Sequence, residues 1–452
     1  MAKTQIVIGI DIGTDTIKIL AVKKEIETGK ILETIFLNKV KSFGVQKGRI
    51  KNINEVAKRI QDLVEKMEQS QGQKRSNHQE FLLSINGSKL QLFPSRGLVV
   101  VGRADQKVSQ EDVDRIYQNV RAVNLQSTNK EILDVYPKEW ILDGERDVKD
   151  PLNLHGARLE LEAYLLSVFS SDLESVVEAG ISAGLDIDVN NIVACPVADA
   201  RSVLTPQQKE LGVALINIGA ATTSVSIYEE GKLLNMAIFP IGSANITNDI
   251  AIGFKTEIEV AEQIKKEYGS CFDNESGSKK IEINLDVFAR EDEEIALQKD
   301  IEDSVFETFG RGLKKIEKQK LKKEKGNILV FSKKDLKKII NARVDEIYSL
   351  AVEEIKRSGK QGLLPGGIVL TGGGSKLPGM IDLAKKEFNL PCRIGFPKEL
   401  NNQVMDPSFA TVCGLIMDED EESGPQSEGA NEQGILGKIF RNIINFIKNL
   451  AP

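Results

Sequence analysis

Two stretches of this chain, IGIDIGTDTIKI (residues 8–19) and ALINIGAATTSV (residues 214–225), repeat one pattern. Superposed, Asn217 falls on Asp11, Gly219 on Gly13 and Thr222 on Thr16. Each is an apolar run, a turn of Gly with small or hydroxyl residues, and a second β-branched run, which reads as strand–turn–strand. Glycine permits a φ > 0 turn and lets an anion approach backbone N–H groups. A single hairpin of this kind is equally an ordinary β-turn. Two copies in register, each opening a run of three strands, imply two halves built to one plan.

The rest of the chain fits that plan. After the first hairpin come a third strand, KILETIFLNKV, and an amphipathic helix with Val56, Ile60, Leu63, Val64 and Met67 at helical spacing, for which Asn54 is the expected N-cap. After the second come KLLNMAIFPIG as a strand and two helices, NITNDIAIGF and TEIEVAEQIKKEYG, the latter ending at Gly269 as a C-cap. NIVACPVADARSVL reads as strand and linker. Residues 86–167 read as a separate unit of strands around a helix opened by Ser109, with Asp112 three positions on, close to a capping box. Residues 275–330 are charge-rich and irregular; the basic run LKKIEKQKLKKEKG within them reads first as a solvated face.

A third glycine loop, LTGGGS, follows the buried strand GGIVL. Three consecutive glycines leave room for a flat group on the backbone, although a flexible turn reads the same way. No G-x-x-x-x-G-K-[ST] is present, and no G-x-G-x-x-G opens a helix, so neither a P-loop nor a Rossmann site is expected. The formal net charge of −7 argues against a nucleic-acid-wrapping protein. Two His residues nearly exclude His-based triads and His-rich metal sites, and four scattered Cys without C-x-x-C fit a reducing cytosol. The N-terminal stretch does not read as a signal peptide, and no apolar run reaches the ~18 residues of a spanning helix.

From residue 417 the composition turns acidic and poor in large apolar residues, reading as a disordered linker over 417–434. A linker of that length spans about 25 Å on average, more with its like charges. Then ILGKIFRNIINFIKNLAP places Ile435, Leu436, Ile439, Phe440, Ile443, Ile444, Phe446, Ile447 and Leu450 on one broad helical face. Lys438, Arg441 and Lys448 fall on or near the other face, with three Asn. That is the pattern of a helix lying in an anionic membrane surface. A helix docked on the body or on a partner is the alternative.

Together these residues resemble the FtsA family of bacterial cell-division proteins, in the actin/Hsp70-like ATPase clan. GIDIGT is similar to the family's first phosphate hairpin, LTGGGSKLPGM to its adenosine loop, and the tail to its membrane-targeting helix. RGLVVVGRADQKVSQEDVDR and ARLELEAYLLS, within residues 86–167, resemble the subdomain this family inserts into its first lobe. The resemblance implies an α/β, actin-like two-lobed fold with duplicated ribonuclease-H-like halves, a small inserted α+β subdomain and a C-terminal amphipathic helix. The implied division is 1–85 and 168–208 (with about 400–416) for the first lobe and 86–167 for the insertion. The second-lobe core would be 209–250 and 346–399, its small subdomain 251–345, then the linker 417–434 and the helix 435–452.

The resemblance also implies ATP and Mg²⁺ as cofactors. Asp11, Gly13 and Thr14 would hold phosphate, with Asp11 reaching the metal through water. Gly219, Thr222, Thr223 and Gly242 would hold the other side of the phosphates. Glu262 and Lys265 would reach ribose and base, and Gly372, Gly373 and Gly374 would support the adenosine. Implied partners are the C-terminal peptide of FtsZ, further copies of the chain in a filament, the anionic cytoplasmic membrane surface at the septum, and other division proteins through residues 86–167. Arg343 would meet the acidic peptide, or else pair with Glu346 on its own helix.

The family usually writes Asp-x-Gly-Gly-Gly-Thr in the second hairpin, where this chain has Asn217, Ala220 and Ala221. Ser243 and Asn245 likewise stand where the family tends to have Gly and His. Loss of a carboxylate beside the phosphates implies slow or absent hydrolysis. A PilM-like pilus-assembly ATPase and an active ATPase of the same clan are the other readings.

Overall fold

The computed structural model describes residues 3–71, 79–102, 105–122, 129–272, 280–284, 328–398 and 406–417. In the first half, β1 (Thr4–Ile12), β2 (Thr16–Glu25) and β3 (Ile31–Lys41) form an antiparallel meander. A small hairpin, β4 (Val45–Gln46) with β5 (Arg49–Ile50), leads to α1 (Ile53–Gln71). β6 (Gln79–Ile85) then pairs parallel to β1.

The inserted segment follows: β7 (Gln91–Val100), α2 (Gln110–Arg121), β8 (Lys130–Leu142), β9 (Glu145–Val148) and β10 (Arg158–Phe169). The half closes with α3 (Ser170–Ser182), β11 (Ile192–Ala194) parallel to β6, α4 (Cys195–Val203) and α5 (Pro206–Leu211).

The second half repeats the order. β12 (Val213–Ile218), β13 (Thr223–Glu229) and β14 (Lys232–Phe239) form the meander. Next come α6 (Ser243–Phe254), α7 (Ile258–Tyr268), the pair β15 (Lys280–Asn284) and β16 (Ile328–Ser332), and α8 (Lys333–Arg357). β17 (Ile368–Thr371), α9 (Met380–Phe388), β18 (Cys392–Ile394) and α10 (Ala410–Leu415) complete it.

The sheets run β3-β2-β1-β6-β11 and β14-β13-β12-β17-β18. In each, an antiparallel meander is extended by two parallel strands. The registers match as well. Asp11 faces Lys18 and Ile12 faces Ile17 in the first hairpin; Asn217 faces Ser224 and Ile218 faces Thr223 in the second. The duplication read from twelve residues is a duplication of the whole sheet.

β1 is buried on both faces, which is why its apolar run is nearly continuous. Ile8, Ile10 and Ile12 join the core that α1 and α3 cover. Val7 joins a second cluster with Val412, Leu415 and Ile416. By strand alternation Gly9 and Asp11 share the face of Val7. A Cβ at Gly9 would lie 3.0 Å from the Leu415 Cβ and the Val412 carbonyl oxygen, so glycine lets α10 close onto the strand. α1 buries all five apolar side chains expected of it, each contributing roughly 1.5–3 kcal/mol.

The inserted sheet runs β7-β10-β8-β9 around a core of its own that includes Val113, Ile116 and Val120 of α2. Ser109 and Asp112 form the reciprocal capping box. β7 is an edge strand whose outward groups are blunted at three positions. Pro94 offers no N–H, Leu98 N–H donates to Asn119, and the Val100 carbonyl accepts from Arg115.

Three local expectations change, and a fourth, Gly269 as the C-cap of α7, holds with a different backbone geometry. Asn52, not Asn54, caps α1: its Oδ1 accepts from Glu55 N–H at 3.3 Å. CPVADARSV is helix α4 rather than linker. Eight of its nine residues are buried, so it shows no amphipathic stripe, and Pro196 opens its first turn. Gly269 ends α7 with φ −69°, not in the left-handed region; glycine is needed because a Cβ would lie 2.2 Å from the Lys265 carbonyl oxygen. The turn-rich stretch before β10 contains the short strand β9. The basic run at 313–326, the linker 417–434 beyond Met417 and the segment 435–452 lie outside the described residues.

The chain divides into two compact units. The larger includes residues 3–243, 347–376 and the described part of 381–417, and so carries both five-stranded sheets and the inserted sheet; the smaller spans 244–346 and 377–380. In the smaller unit, Phe331 of β16 stacks on Phe254 at 4.9 Å and meets Tyr268 edge-on at 6.1 Å, fixing the two-stranded sheet against α6 and α7.

Candidate functional site

Asp11 is the penultimate residue of β1 and is only 5% exposed. Lys18, its cross-strand partner, donates to Oδ2 at 2.9 Å, and Ser84 Oγ donates to Oδ1 at 3.1 Å. Burial alone would lower the Lys18 pKa; the neighbouring Asp11 more than offsets this and holds it above the ordinary lysine value. The ammonium also lies 3.9 Å from where a Cβ on Gly13 would sit. A fixed ammonium, paired with Asp11, therefore stands at the hairpin turn beside Gly13.

The second hairpin has no such cation. Asn217 occupies the place of Asp11, and Ser224 that of Lys18. Asn217 Nδ2 donates to Asp199 Oδ2 at 2.6 Å, and Thr411 Oγ1 donates to Asp199 Oδ1 at 2.7 Å. Burial on α4 pushes the Asp199 carboxyl up to about 7; those two hydrogen bonds oppose the shift and Asp11 adds to it. The adjacent Cys195 thiol is held well above its ordinary range by burial and by the same two carboxyls. An aspartate at 217 would face Asp199 with no lysine opposite, so the neutral amide suits this wall.

The two hairpin turns are brought together within the larger unit. Thr14 Oγ1 accepts from Gly48 N–H at 3.2 Å, and a Cβ on Gly48 would lie 3.1 Å from Thr222 Cγ2. Asn86, just after β6, donates to Thr222 Oγ1 at 3.2 Å. Thr223 Oγ1 donates to the Ile241 carbonyl at 2.8 Å, which fixes the turn from inside. Gly242 approaches so closely that a Cβ would lie 2.6 Å from the carbonyl oxygens of Gly219 and Ala220, and Ser243 N–H donates to Gly219 O at 2.9 Å.

The glycines act differently from the φ > 0 expectation. Neither Gly13 nor Gly219 has positive φ, and neither do Ala220 and Ala221, so the alanines carry no backbone strain. Gly13 is required by proximity: its Cβ would meet Thr16 O at 2.6 Å. In the third loop, Gly372 has φ +84° and lies against Asn217 Oδ1, while Gly374 lies against Ile218. Only Gly373 faces open space, with Ser408 Cβ 3.8 Å away. The open shelf is one residue wide.

Glu262 and Lys265 belong to the smaller unit. They pair at 2.6 Å on α7, and Lys265 Nζ reaches Thr247 of α6 at 2.8 Å. Burial would raise the Glu262 carboxyl, but Lys265 and Thr247 outweigh it and lower the pKa. Arg343 on α8 makes a two-pronged pair with Asp249, at 2.6 and 2.9 Å, and also pairs with Glu346. Among the described residues, no cluster of three or more His, Cys, Asp or Glu side chains could hold a metal.

Two family profiles match this chain: "Cell division protein FtsA" over residues 214–414, and "SHS2 domain inserted in FTSA" over residues 87–167. The cell division protein FtsA of Pseudomonas aeruginosa is 30% identical over 416 residues, covering 91% of this chain and 89% of its own. The chain belongs to the FtsA family of cell-division proteins. The Bacillus subtilis FtsA is also 30% identical over 416 residues, covering 92% of this chain and 84% of its own. A solved PilM–PilN type IV pilus biogenesis complex matches with TM-score 0.57 at 15% identity, over 91% of this chain and 97% of that one. It shares the fold, while the relatives decide for FtsA over PilM. The two-lobed actin-like α/β fold with its inserted SHS2 domain is thus that of an FtsA-family cell-division protein.

Sequence reasoning missed Lys18, Ser84, Asn86, Asp199 and Thr411. Two left a trace. Lys18 interrupts the apolar TIKILAV, and Asp199 sits in the apolar CPVADA; a charged residue inside an otherwise buried run signals a buried partner. Ser84, Asn86 and Thr411 left none, because their importance is purely spatial.

Proposed function

We propose that this chain binds ATP between its two hairpins, assembles with further copies of itself, and tethers FtsZ filaments to the cytoplasmic membrane at the septum, hydrolysing ATP slowly or not at all. The observation that carries the reading is the matched register of the two hairpins, linked through Thr14, Gly48, Asn86 and Thr222 within one unit.

The residues present fit a polyphosphate. Lys18 supplies a fixed positive charge at the first turn, Gly13 and Gly219 leave backbone accessible, and Gly373 offers an open face for the adenosine. They fit a magnesium ion only through water, since Lys18 and Ser84 already occupy both oxygens of Asp11. Bound Mg²⁺ would neutralise phosphate charge there. Hydrolysis needs a group that orients water at the terminal phosphate. Asn217 is neutral, and Asp199 is fully buried with both oxygens engaged, so neither serves. The nucleotide then acts as a clasp. A single-turnover rate on the order of 1 s⁻¹ or more would contradict the clasp role.

The amphipathic pattern at 435–450 supports membrane attachment, each Lys or Arg near an anionic surface contributing roughly 1 kcal/mol. One such helix binds reversibly, and a filament carrying many holds by multivalency. Arg343 remains our proposed contact for the acidic FtsZ peptide, which would exchange with Asp249 and Glu346 for the guanidinium. Flotation with anionic liposomes, with and without ATP–Mg²⁺ and an FtsZ C-terminal peptide, tests the whole reading. The full chain is expected to float and carry the peptide, and a chain lacking 435–452 to stay at the bottom. Equal flotation of the two chains would overturn the tether.

A further inference from the structure

α10 is six residues long and entirely buried. It is wedged between β1 and α4: a Cβ on Gly414 would lie 1.7 Å from the Ala198 carbonyl oxygen, and Gly9 admits Leu415 and Val412 from the other side. Three side chains pin it. Thr411 Oγ1 donates to Asp199 Oδ1 at 2.7 Å, Ser202 Oγ donates to Ala410 O at 2.7 Å, and Lys24 Nζ donates to Ile416 O at 3.1 Å. The segment leading into α10 is tied to the glycine loop, where Gly372 N–H donates to Pro407 O at 3.1 Å and Lys376 pairs with Asp406 at 2.8 Å.

The carboxyl of Asp199 therefore holds two things at once. One oxygen takes the amide of Asn217 at the end of β12, and the other takes the hydroxyl of Thr411 in α10. The amide so fixed has its Oδ1 against Gly372. We propose that Asp199 is a positioning residue that couples the phosphate site to α10: with the hairpins closed on a nucleotide, Asn217, Asp199 and Thr411 stay in register and α10 stays seated. The proposal rests on the nucleotide-site reading above. Closely packed elements pinned by few polar contacts switch between discrete seatings rather than deforming gradually, and such coupling is reciprocal between the two sites. α10 is the last described element, and the stretch read as an acidic linker begins two residues after it, at residue 417.

The test is hydrogen exchange on the full chain with and without saturating ATP–Mg²⁺, comparing wild type, Thr411→Val and Thr411→Ser. In wild type, ATP is expected to slow exchange at the 411–416 amides by about ten-fold. Valine keeps the shape of Thr411 and removes its hydroxyl; ATP affinity should stay within about three-fold of wild type while most of the slowing at 411–416 is lost and that in β12 persists. Serine restores the hydroxyl and should restore the slowing, which a merely structural loss of packing would not do. ATP binding to wild type without slowing at 411–416, or slowing that survives in the valine variant, overturns the coupling alone. No ATP binding to wild type overturns the nucleotide site itself and the coupling with it.

Discussion

Asp11 and Asp199 are both buried, yet they are managed differently. Asp11 has a lysine opposite, whereas Asp199 has only an amide and a hydroxyl. Removing one partner of a buried pair leaves a bare charge, so Lys18→Met should cost about 3 kcal/mol in urea unfolding. Asp11→Asn together with Lys18→Met should cost clearly less; equal costs would mean the pairing is unimportant. Asp199, pushed up to about 7 by burial, exceeds the value near 4 of an exposed aspartate. Between those two pH values the folded chain holds more protons than the unfolded one, so this group's contribution to stability falls as pH rises through that window and stays low above it. Asp199→Asn removes the term. Its stability relative to wild type should improve by about 3 kcal/mol between pH 4.5 and pH 8, and a flat difference would contradict the assignment. Asn217→Asp, which sets a second carboxyl against Asp199, should lose stability most steeply above pH 7.

At the scale of elements, α4 and α10 are short, buried all round, and meet through small residues. Adding one methyl at Gly414 forces them apart. Gly414→Ala should destabilise the chain by about 3 kcal/mol in chemical denaturation, with the α2 side of the inserted sheet keeping its amide protection, because the cluster of Val113, Ile116 and Val120 is distinct from the one α10 packs into, while Leu166 and Val168 of β10 belong to the main core. Loss of protection throughout both regions would mean that the insertion does not hold together independently. Ser109→Ala, which removes the cap of α2 within that insertion, should cost about 1 kcal/mol.

At the scale of the whole molecule, one ligand gripped by two hairpins of one unit should stabilise that unit. ATP–Mg²⁺ at a hundred times its dissociation constant should add about 2.7 kcal/mol, read as an upward shift of the melting transition. A nucleotide that binds by calorimetry yet leaves that transition in place would mean that the transition reports a part of the chain that unfolds independently of the nucleotide site.

The duplication, the third glycine loop, the capping box of α2 and the family were legible in the residues, because each rests on local pattern: strand alternation, turn chemistry, cap spacing. What the glycines are for was not legible. The sequence suggests φ > 0 at Gly13 and Gly219, but the folded chain needs them only for closeness to Thr16 and Thr222. Nor could one strand disclose why the second copy carries Asn. The reason is a carboxyl on α4, 18 residues upstream in the chain and 2.6 Å away in space, with no lysine across the hairpin to balance another. Local propensity is written along the chain; the pairing of buried polar groups, whose strength depends on what excludes water around them, exists only once α4, β12 and α10 have packed.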